Sequence, residues 1–488
     1  MVDGERRLSF GELREMSGRL AAAFVDAGLA GERVATLLPN GMELLACYLG
    51  CWAAGAIAVP FEYVDAAAEI RYGLADSGAR WLVVHADKLG DLAAVDLAHT
   101  AVERVFVVGA SSAPYPAFSA LLDTPARPLP DVSPATLAFI LYTSGSTALP
   151  KGVTHSHASA AGIIASVLAA LDRVDGAAVT VVHDSVSHMG GWIETFPLLW
   201  LGASVVMVRG FDAERFFLDL RHFRSTVIGA HVDHLWQIVR YPRARRDDFA
   251  SVQTVFTGGD ELPLPLQRAF VGLTGLPIQV GWGMTEAIWL TIAREPELER
   301  RGFMGHPVRG VELRVVDRDG HDVPRGEAGE LWVRGPMVTP GYWKRPEADR
   351  EVLVNGWLRT GDMGLQDAKG AYWFTGRSKQ IIERNSENIT PGEIEQALCR
   401  HPAVAEAAAF GVPDPDAGAV PIAYVAFRPG VSATEAELKA FLVGEIAAFK
   451  IPARILPIDD MPLTHSGKID HQALAARYRA GTAGGSTR

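Results

Sequence analysis

Tyr142-Thr143-Ser144-Gly145-Ser146-Thr147-Ala148-Leu149-Pro150-Lys151-Gly152-Val153 is the stretch on which the reading of this chain turns. Ahead of it, the short apolar run 137–141 has the composition of a buried strand. The chain then concentrates the hydroxyls of Thr143, Ser144, Ser146 and Thr147, the flexible Gly145 and the ammonium of Lys151. Backbone N–H groups exposed beside glycine, side-chain hydroxyls and one cation together suit a polyphosphate. The order is not that of the P-loop, which needs Gly-Lys-Ser/Thr running into a helix. A Ser/Thr/Gly run is ordinarily a surface turn; the trailing Pro150-Lys151-Gly152 and the segments downstream set this one apart.

At 488 residues the chain needs more than one core, and a hydrophobic content of 48 % is ample for large buried sheets. The net charge of −11 excludes a general nucleic-acid binder, whose footprint is basic. Arg243, Arg245 and Arg246 are offset by Asp247 and Asp248 and read as solvated surface. Cys47, Cys51 and Cys399 are too scattered for a disulfide framework, and Cys47 and Cys51 share an apolar helical run that reads as core. With no leader pattern and no membrane-length apolar stretch, the sequence predicts a cytoplasmic enzyme with no membrane partner, monomeric or homodimeric.

Ser9 and Glu12 have capping-box spacing, and Leu13, Met16, Leu20 and Phe24 recur on one helical face up to Gly28. Strands at 34–38, 57–59 and 81–84 alternate with helices at about 43–54 and up to Gly78, the rhythm of a doubly wound parallel sheet. It returns between 179 and 290, with strands near 204–208, 227–229, 252–256 and 277–280. From 311 to 333 the period becomes two, with Asp319-Gly320 as a turn, so a small antiparallel β unit follows. Past Gly376 come a helix from Pro391, strands near 405–411 and 422–427, a helix from Thr434 and a strand near 455–458. The fold class is therefore α/β, with a large N-terminal domain, 1–375, and a small α+β C-terminal domain, 376–488; the tail from Gly481 is flexible by composition.

Four further segments carry chemistry. Gly281-Trp282-Gly283-Met284-Thr285-Glu286 offers glycines that let backbone approach a ligand, an aromatic ring for a base and a carboxylate for Mg²⁺. Trp357-Leu358-Arg359-Thr360-Gly361-Asp362 places an aspartate after a glycine, where it can accept ribose hydroxyls, and Gly376-Arg377-Ser378-Lys379 adds a cation. Pro462-Leu463-Thr464-His465-Ser466-Gly467-Lys468-Ile469-Asp470 ends on a lysine beside a glycine. With the loop at 142–153, and in this order, these segments resemble the motifs of the adenylate-forming superfamily: acyl-CoA synthetases, peptide-synthetase adenylation domains and luciferases. The resemblance runs from Leu8 to about Leu474 and includes the scaffold motif Gly329-Glu330-Leu331-Trp332-Val333-Arg334-Gly335.

That resemblance implies a set of roles. Thr143 to Lys151 would hold the phosphates of ATP and Glu286 the Mg²⁺. Gly258, Gly259 and Asp260, with Trp282, Gly283, Met284 and Thr285, would hold the adenine side, and Asp362 and Arg377 the ribose. Lys468 is the expected catalytic lysine, stabilising charge as pyrophosphate leaves. It sits in a small mobile domain that turns about a hinge at Lys379. Ser187-His188-Met189-Gly190-Gly191 resembles the family's Pro-x-x-His-x-x-Gly without its proline, so His188 is expected to gate the carboxylate or the acceptor. Met189, Gly190, Glu194, His231, Asp233, Gly281 and Trp289 are expected to line the acyl pocket. Bulky tryptophans with a few polar groups suit a small aromatic acid, whose amino or hydroxyl substituent Glu194 or Asp233 can hold. His155, His157, His183 and His188 follow no zinc spacing.

The chain departs from the family pattern at Ser146, Ala148 and Gln380, and most sharply at Asn385-Ser386, where glycines usually line the path of the pantetheine arm. The expected reaction is activation of a small-molecule carboxylate as an acyl-adenylate, then transfer to a thiol, CoA or a carrier protein's, with CoA expected. Two alternatives stand beside it. One is an adenylate-forming enzyme of secondary metabolism with another acceptor, an amide ligase or a nitrite-activating diazotase acting on an amino-substituted aryl acid. The other is a non-catalytic nucleotide-binding relative, against which Lys468, Glu286 and Asp362 argue.

Overall fold

The computed structural model describes the whole chain except Glu5, 110–113, 144–149, Asp172, 260–261, Pro296, Ile381, 385–386, 415–417, 444, 464–468 and 484–488, and describes backbone alone at 379, 383, 387–388, 418 and 482–483. Short apolar runs, each closed by a turn, build two large sheets. In the seven-stranded sheet, Leu137–Thr143, Ile57–Pro60, Arg33–Leu37, Trp81–His85 and Arg104–Val108 are parallel neighbours in that order. Leu137–Thr143 also pairs antiparallel with Lys151–Ser156, and that strand with Gly341–Tyr342.

The second sheet has 14 strands. Its parallel half runs Gln279–Met284, Thr254–Gly258, Val227–Gly229, Val179–Val182 and Ser204–Met207. The antiparallel strands expected around 311–333 are present, but as an extension of this sheet rather than a separate unit. Ala287–Ala293 folds back on Gln279–Met284 and passes the ladder through Phe303–Pro307 to Tyr372–Arg377, Trp357–Gln366, Ala328–Arg334 and Glu312–Val316.

Helices lie between the two sheets. Ser9 starts Phe10–Asp26 with the complete capping box read from the sequence, its side chain on the Glu12 N–H and Glu12 on the Ser9 N–H. Met42–Ala54 ends at Gly55, whose φ of 71° only glycine adopts without strain. One core joins both sheets through these helices: Leu20, Phe24, Leu45 and Tyr48 with Trp192 and Phe196, against Phe139 and Trp81 on one side and Val205 and Phe256 on the other. Cys47 and Cys51 are fully buried in it, as expected.

Where the sheets meet, Asn40 works as a polar clamp. Its Nδ2 donates to the carbonyls of Asp184 at 2.8 Å and Val208 at 3.1 Å, and its Oδ1 accepts from Val186 N at 2.9 Å. Asn40 precedes the helix Met42–Ala54 of one sheet; the other three residues follow strands of the other.

A third sheet of five strands holds Ile382–Arg384, Glu387–Ile389, Val404–Asp414, Gly418–Phe427 and Arg454–Pro457. Its helix Pro391–Cys399 packs on Tyr372–Arg377, where Gln396 Nε2 donates to Phe374 O at 3.1 Å. The last helix, His471–Ala483, takes up Gly481, which composition had assigned to a flexible tail: the preceding turns of that helix continue through it. No helix among the described residues is long and apolar enough to cross a membrane.

Replacing Asn40 by leucine keeps the volume but strands two buried carbonyls and an N–H. The unfolding free energy in guanidinium should fall by about 2–4 kcal/mol. An unchanged midpoint would show that packing alone holds the sheets together.

Candidate active site

The parallel strands of the 14-stranded sheet all end on one edge, and the expected site residues collect there. On its phosphate side, the strand Lys151–Ser156 begins at Lys151, whose Nζ lies 5.1 Å from the centre of the Tyr342 ring. The Tyr342 hydroxyl donates to Glu286 Oε1 at 2.7 Å, and Thr339 N donates to Glu286 O at 2.7 Å. His155 ties the same strand to the Thr285 carbonyl through Nε2 at 2.9 Å. Burial pushes His155 down to about 4, so the ring is neutral and serves as a strut. Lys151, Thr285, Glu286 and Tyr342 thus form one bonded group. Thr143 ends the preceding strand, while Ser144, Gly145, Ser146 and Thr147 lie outside the described residues.

The ribose side is built from two antiparallel strands. Asp362 and Arg377 are register partners in Trp357–Gln366 and Tyr372–Arg377, with Arg377 Nε 3.3 Å from Asp362 Oδ1. Trp282 Nε1 donates to the other oxygen of Asp362 at 2.9 Å. The tryptophan that stands where the family has tyrosine is therefore joined by its N–H to Asp362, the aspartate expected at the ribose. Gly283 and Met284 continue the strand of Trp282, which runs to Met284 rather than stopping at Val280. Gly258 pairs with Gly281 across the strands, Gly259 has φ 84°, and Asp260 lies outside the described residues.

Behind this edge, glycines leave room for two large buried side chains. A Cβ on Gly281 would overlap the Trp289 indole, and one on Gly258 would lie 3.1 Å from Trp289 Nε1. A Cβ on Gly229 would overlap the Glu194 carboxyl. Trp289 and Glu194 thus fill the space that the missing side chains leave. Both are 1 % exposed, and Glu194 Oε2 has no hydrogen-bond partner among the described residues. Burial, and then the charge of Asp184, raise the Glu194 carboxyl well above its ordinary range, so it is held protonated. His188 caps the helix Met189–Leu201, its Nδ1 accepting from Gly190 N at 3.1 Å. Gly190 lets His231 approach, since a Cβ there would sit 2.9 Å from His231 Nε2.

Sequence reasoning passed over three groups at this site. Asp184 is buried with Oδ2 3.3 Å from His231 Nε2 and Oδ1 3.0 Å from His234 Nδ1. Burial pushes Asp184 up, but His231, then His234 and His188, hold it below its usual value. His234 is stacked on Phe211, ring centres 4.1 Å apart. Glu62, from the seven-stranded sheet, reaches the Ser185 hydroxyl and the field of His231; burial raises it to about 7 against the Ser185 hydrogen bond. Asp233, which the sequence offered as a pocket carboxylate, sits on the outer side with its side chain 46 % exposed and 3.7 Å from His234 Nε2. The signal for Asp184 was its place two residues after the strand Val179–Val182; its partners stand at the start of the helix Val232–Arg240 and could not be read from spacing. Lys379 lies in a short 3₁₀ turn, Ser378–Gln380, after the strand of Arg377. Lys468, Asn385 and Ser386 lie outside the described residues.

Comparison with known proteins agrees with this geometry. A family model described as AMP-binding enzyme matches residues 1–343, and one described as AMP-binding enzyme C-terminal domain matches 393–468. The chain is 34 % identical over 482 residues to the sulfoacetate–CoA ligase of Cupriavidus necator, covering 97 % of this chain and 93 % of that protein. Among solved structures it is similar to an amide bond synthetase from Marinactinospora thermotolerans, with a TM-score of 0.86, 27 % identity and coverage of 98 % and 96 %. It is also similar to an anthranilate CoA ligase in complex with anthranoyl-AMP, with a TM-score of 0.84, 26 % identity and coverage of 99 % and 94 %.

The raised Glu194 carboxyl carries a stability signature. Above the ordinary glutamate range (~4.3) the unfolded chain releases a proton that the folded chain keeps, so this residue weakens the fold increasingly as pH rises. Glu194→Gln has the shape of the protonated form and removes that penalty. Melting temperatures should be higher for the variant than for the parent at pH 8, with the gap closing towards pH 4.5.

Proposed function

The chain belongs to the AMP-binding enzyme family, and on that premise we propose that it is an ATP-dependent, AMP-forming ligase that joins a small aromatic carboxylic acid to the thiol of CoA. The observation that carries this reading is that one segment, 281–286, ties together a phosphate-side group, Lys151–Tyr342–Glu286, and a ribose-side group, Trp282–Asp362–Arg377, while the buried Trp289 packs on Gly281 of the same segment.

A substrate carboxylate oxygen attacks the α-phosphorus of ATP; the bond to the β-phosphate oxygen breaks, and pyrophosphate leaves with the electron pair. Thr143, the hydroxyls of 144–147 and Lys151 bind the phosphates. Gly258, Gly259, Asp260 and the 282–285 segment border the adenine, and Asp362 with Arg377 orients the ribose. Glu286 suits Mg²⁺: one oxygen is fixed by Tyr342 and the other is free of hydrogen bonds among the described residues, and a single carboxylate plus phosphate oxygens is an ordinary magnesium set. When bound, the ion neutralises phosphate charge. Lys468 supplies the cation at the reacting centre in this reading. It is carried by the unit 376–488, which turns about Lys379 against 1–375 to open the way for the acceptor.

Two buried side chains favour a small ring. Trp289 and Glu194 take the space over Gly281 and Gly229, and a protonated carboxyl whose Oε2 has no partner among the described residues can exchange hydrogen bonds with an amino or hydroxyl substituent. The same buried carboxyl, together with the likeness to an amide bond synthetase, favours a second reading in which the acceptor is a nitrogen compound, an amine or nitrite chemistry on an amino-substituted aryl acid.

The test is a mass-spectrometric product screen with Mg-ATP, 4-coumarate, benzoate and the three aminobenzoates, each with CoA, with nitrite, with an amine, or with none. An aryl-CoA together with AMP and pyrophosphate is expected. AMP release only with nitrite or an amine, and no thioester, replaces the first reading with the second. Lys468→Ala should slow pyrophosphate release by roughly 10²–10³-fold while ATP binding persists.

A further inference from the structure

Resting on the acyl-adenylate chemistry above, we propose that His231, oriented by Asp184, is the proton acceptor of the transfer step, facing His188 across the mouth of the pocket.

The two imidazoles lie with ring centres 6.0 Å apart, and their surroundings set opposite tautomers. His188 Nδ1 accepts the Gly190 N–H, so the neutral ring carries its proton on Nε2 and is a donor. His231 Nε2 lies 3.3 Å from the buried Asp184 carboxylate, whose negative charge favours the tautomer that carries its proton on Nε2 and leaves Nδ1 as an acceptor. Nδ1 has no hydrogen-bond partner among the described residues, and the side chain is 36 % exposed, within reach of a ligand. Asp184 cannot swing away, because His234 holds its other oxygen and is itself clamped against Phe211. Asn40 and the backbone at 184–186 fix the segment from behind. Such a carboxylate–imidazole pair, buried at one end and open at the other, is the arrangement that a general base needs.

In the transfer step the thiol sulfur of CoA forms a bond to the acyl carbon. The carbon–oxygen bond to AMP breaks, AMP leaves with that electron pair, and the thiol proton passes to His231 Nδ1 and on to solvent. The groups around His231 are Asp184 and His188 from the segment after Val179–Val182, Glu62 after a strand of the other sheet, and Asp233 and His234 from the helix that His231 precedes, while Glu194 of the helix Met189–Leu201 acts on Asp184. Of these, Glu62 titrates near neutrality and has to be separated from His231 by substitution.

The half-reactions can be read apart. Pyrophosphate release with hydroxylamine as the trapping nucleophile reports adenylation; single-turnover thioester formation from the preformed adenylate reports transfer. His231→Gln should slow thioester formation by roughly 10²-fold more than it slows pyrophosphate release, with the loss of acid-side inhibition in the pH profile of transfer. Asp184→Asn should move that acid limb to lower pH, a readout that a purely structural role would not produce, and Glu62→Gln should leave the limb in place. Wild-type transfer rates with an unchanged profile in His231→Gln, or a limb that vanishes only in Glu62→Gln, overturn the assignment while the ligase reading stands. Absence of pyrophosphate release from the parent enzyme with every acid removes the ligase reading and this proposal with it.

Discussion

Burying the amide of Asn40 where two sheets meet is tolerable only because each of its polar ends finds a backbone group from 184–208. The chain gains more than a satisfied amide from this. The same hydrogen bonds stop the segment after Val179–Val182 from shifting, and that segment carries Asp184, Ser185 and His188. Everything on the acyl side of the cleft takes its position from that anchor. The helix Met189–Leu201 starts at His188, Glu194 projects from its second turn, and His231 settles against Gly190.

The electrostatics of the pocket follow from how three acids are buried in different company. Asp184 lies between two imidazoles and is ionised; Glu194 has no cation beside it and a like charge nearby, and is protonated. Glu62 is intermediate, eased by the Ser185 hydroxyl. One small volume therefore offers a charge, a neutral donor and a group balanced near neutrality. The nucleotide side works differently: Asp362 and Glu286 are each tied to an aromatic side chain, Trp282 and Tyr342, so the carboxylates are aimed before any ligand arrives.

Much of this was legible in the sequence. The alternation of apolar runs and glycine-ended helices gave the parallel sheets, and the Ser9–Glu12 spacing gave a true capping box. The segments around Lys151, Glu286, Asp362 and Arg377 carry local signals, because a ligand-facing residue beside glycine has to be written next to that glycine. Contacts between distant strands leave no such mark. Asp184 carries no local mark of its partners, since His231 and His234 stand at the start of the helix Val232–Arg240, and Glu62 follows a strand of the other sheet. Asp233 was expected in the pocket from its place in a family segment, which does not fix the direction of a side chain at the start of a helix; that side chain is half-exposed beside His234. The join between parallel and antiparallel halves was likewise invisible, since a ladder through Ala287–Ala293 depends on pairing and not on composition.

The close packing of Glu194 over Gly229 has a historical consequence. No side chain can be added at 229 while Glu194 is present, and losing Glu194 alone opens a void beside a bare glycine. Neither position can drift freely by single steps: the first change at one alters the fitness of every change at the other. The two positions are therefore one unit of change, and each decides what the other can become.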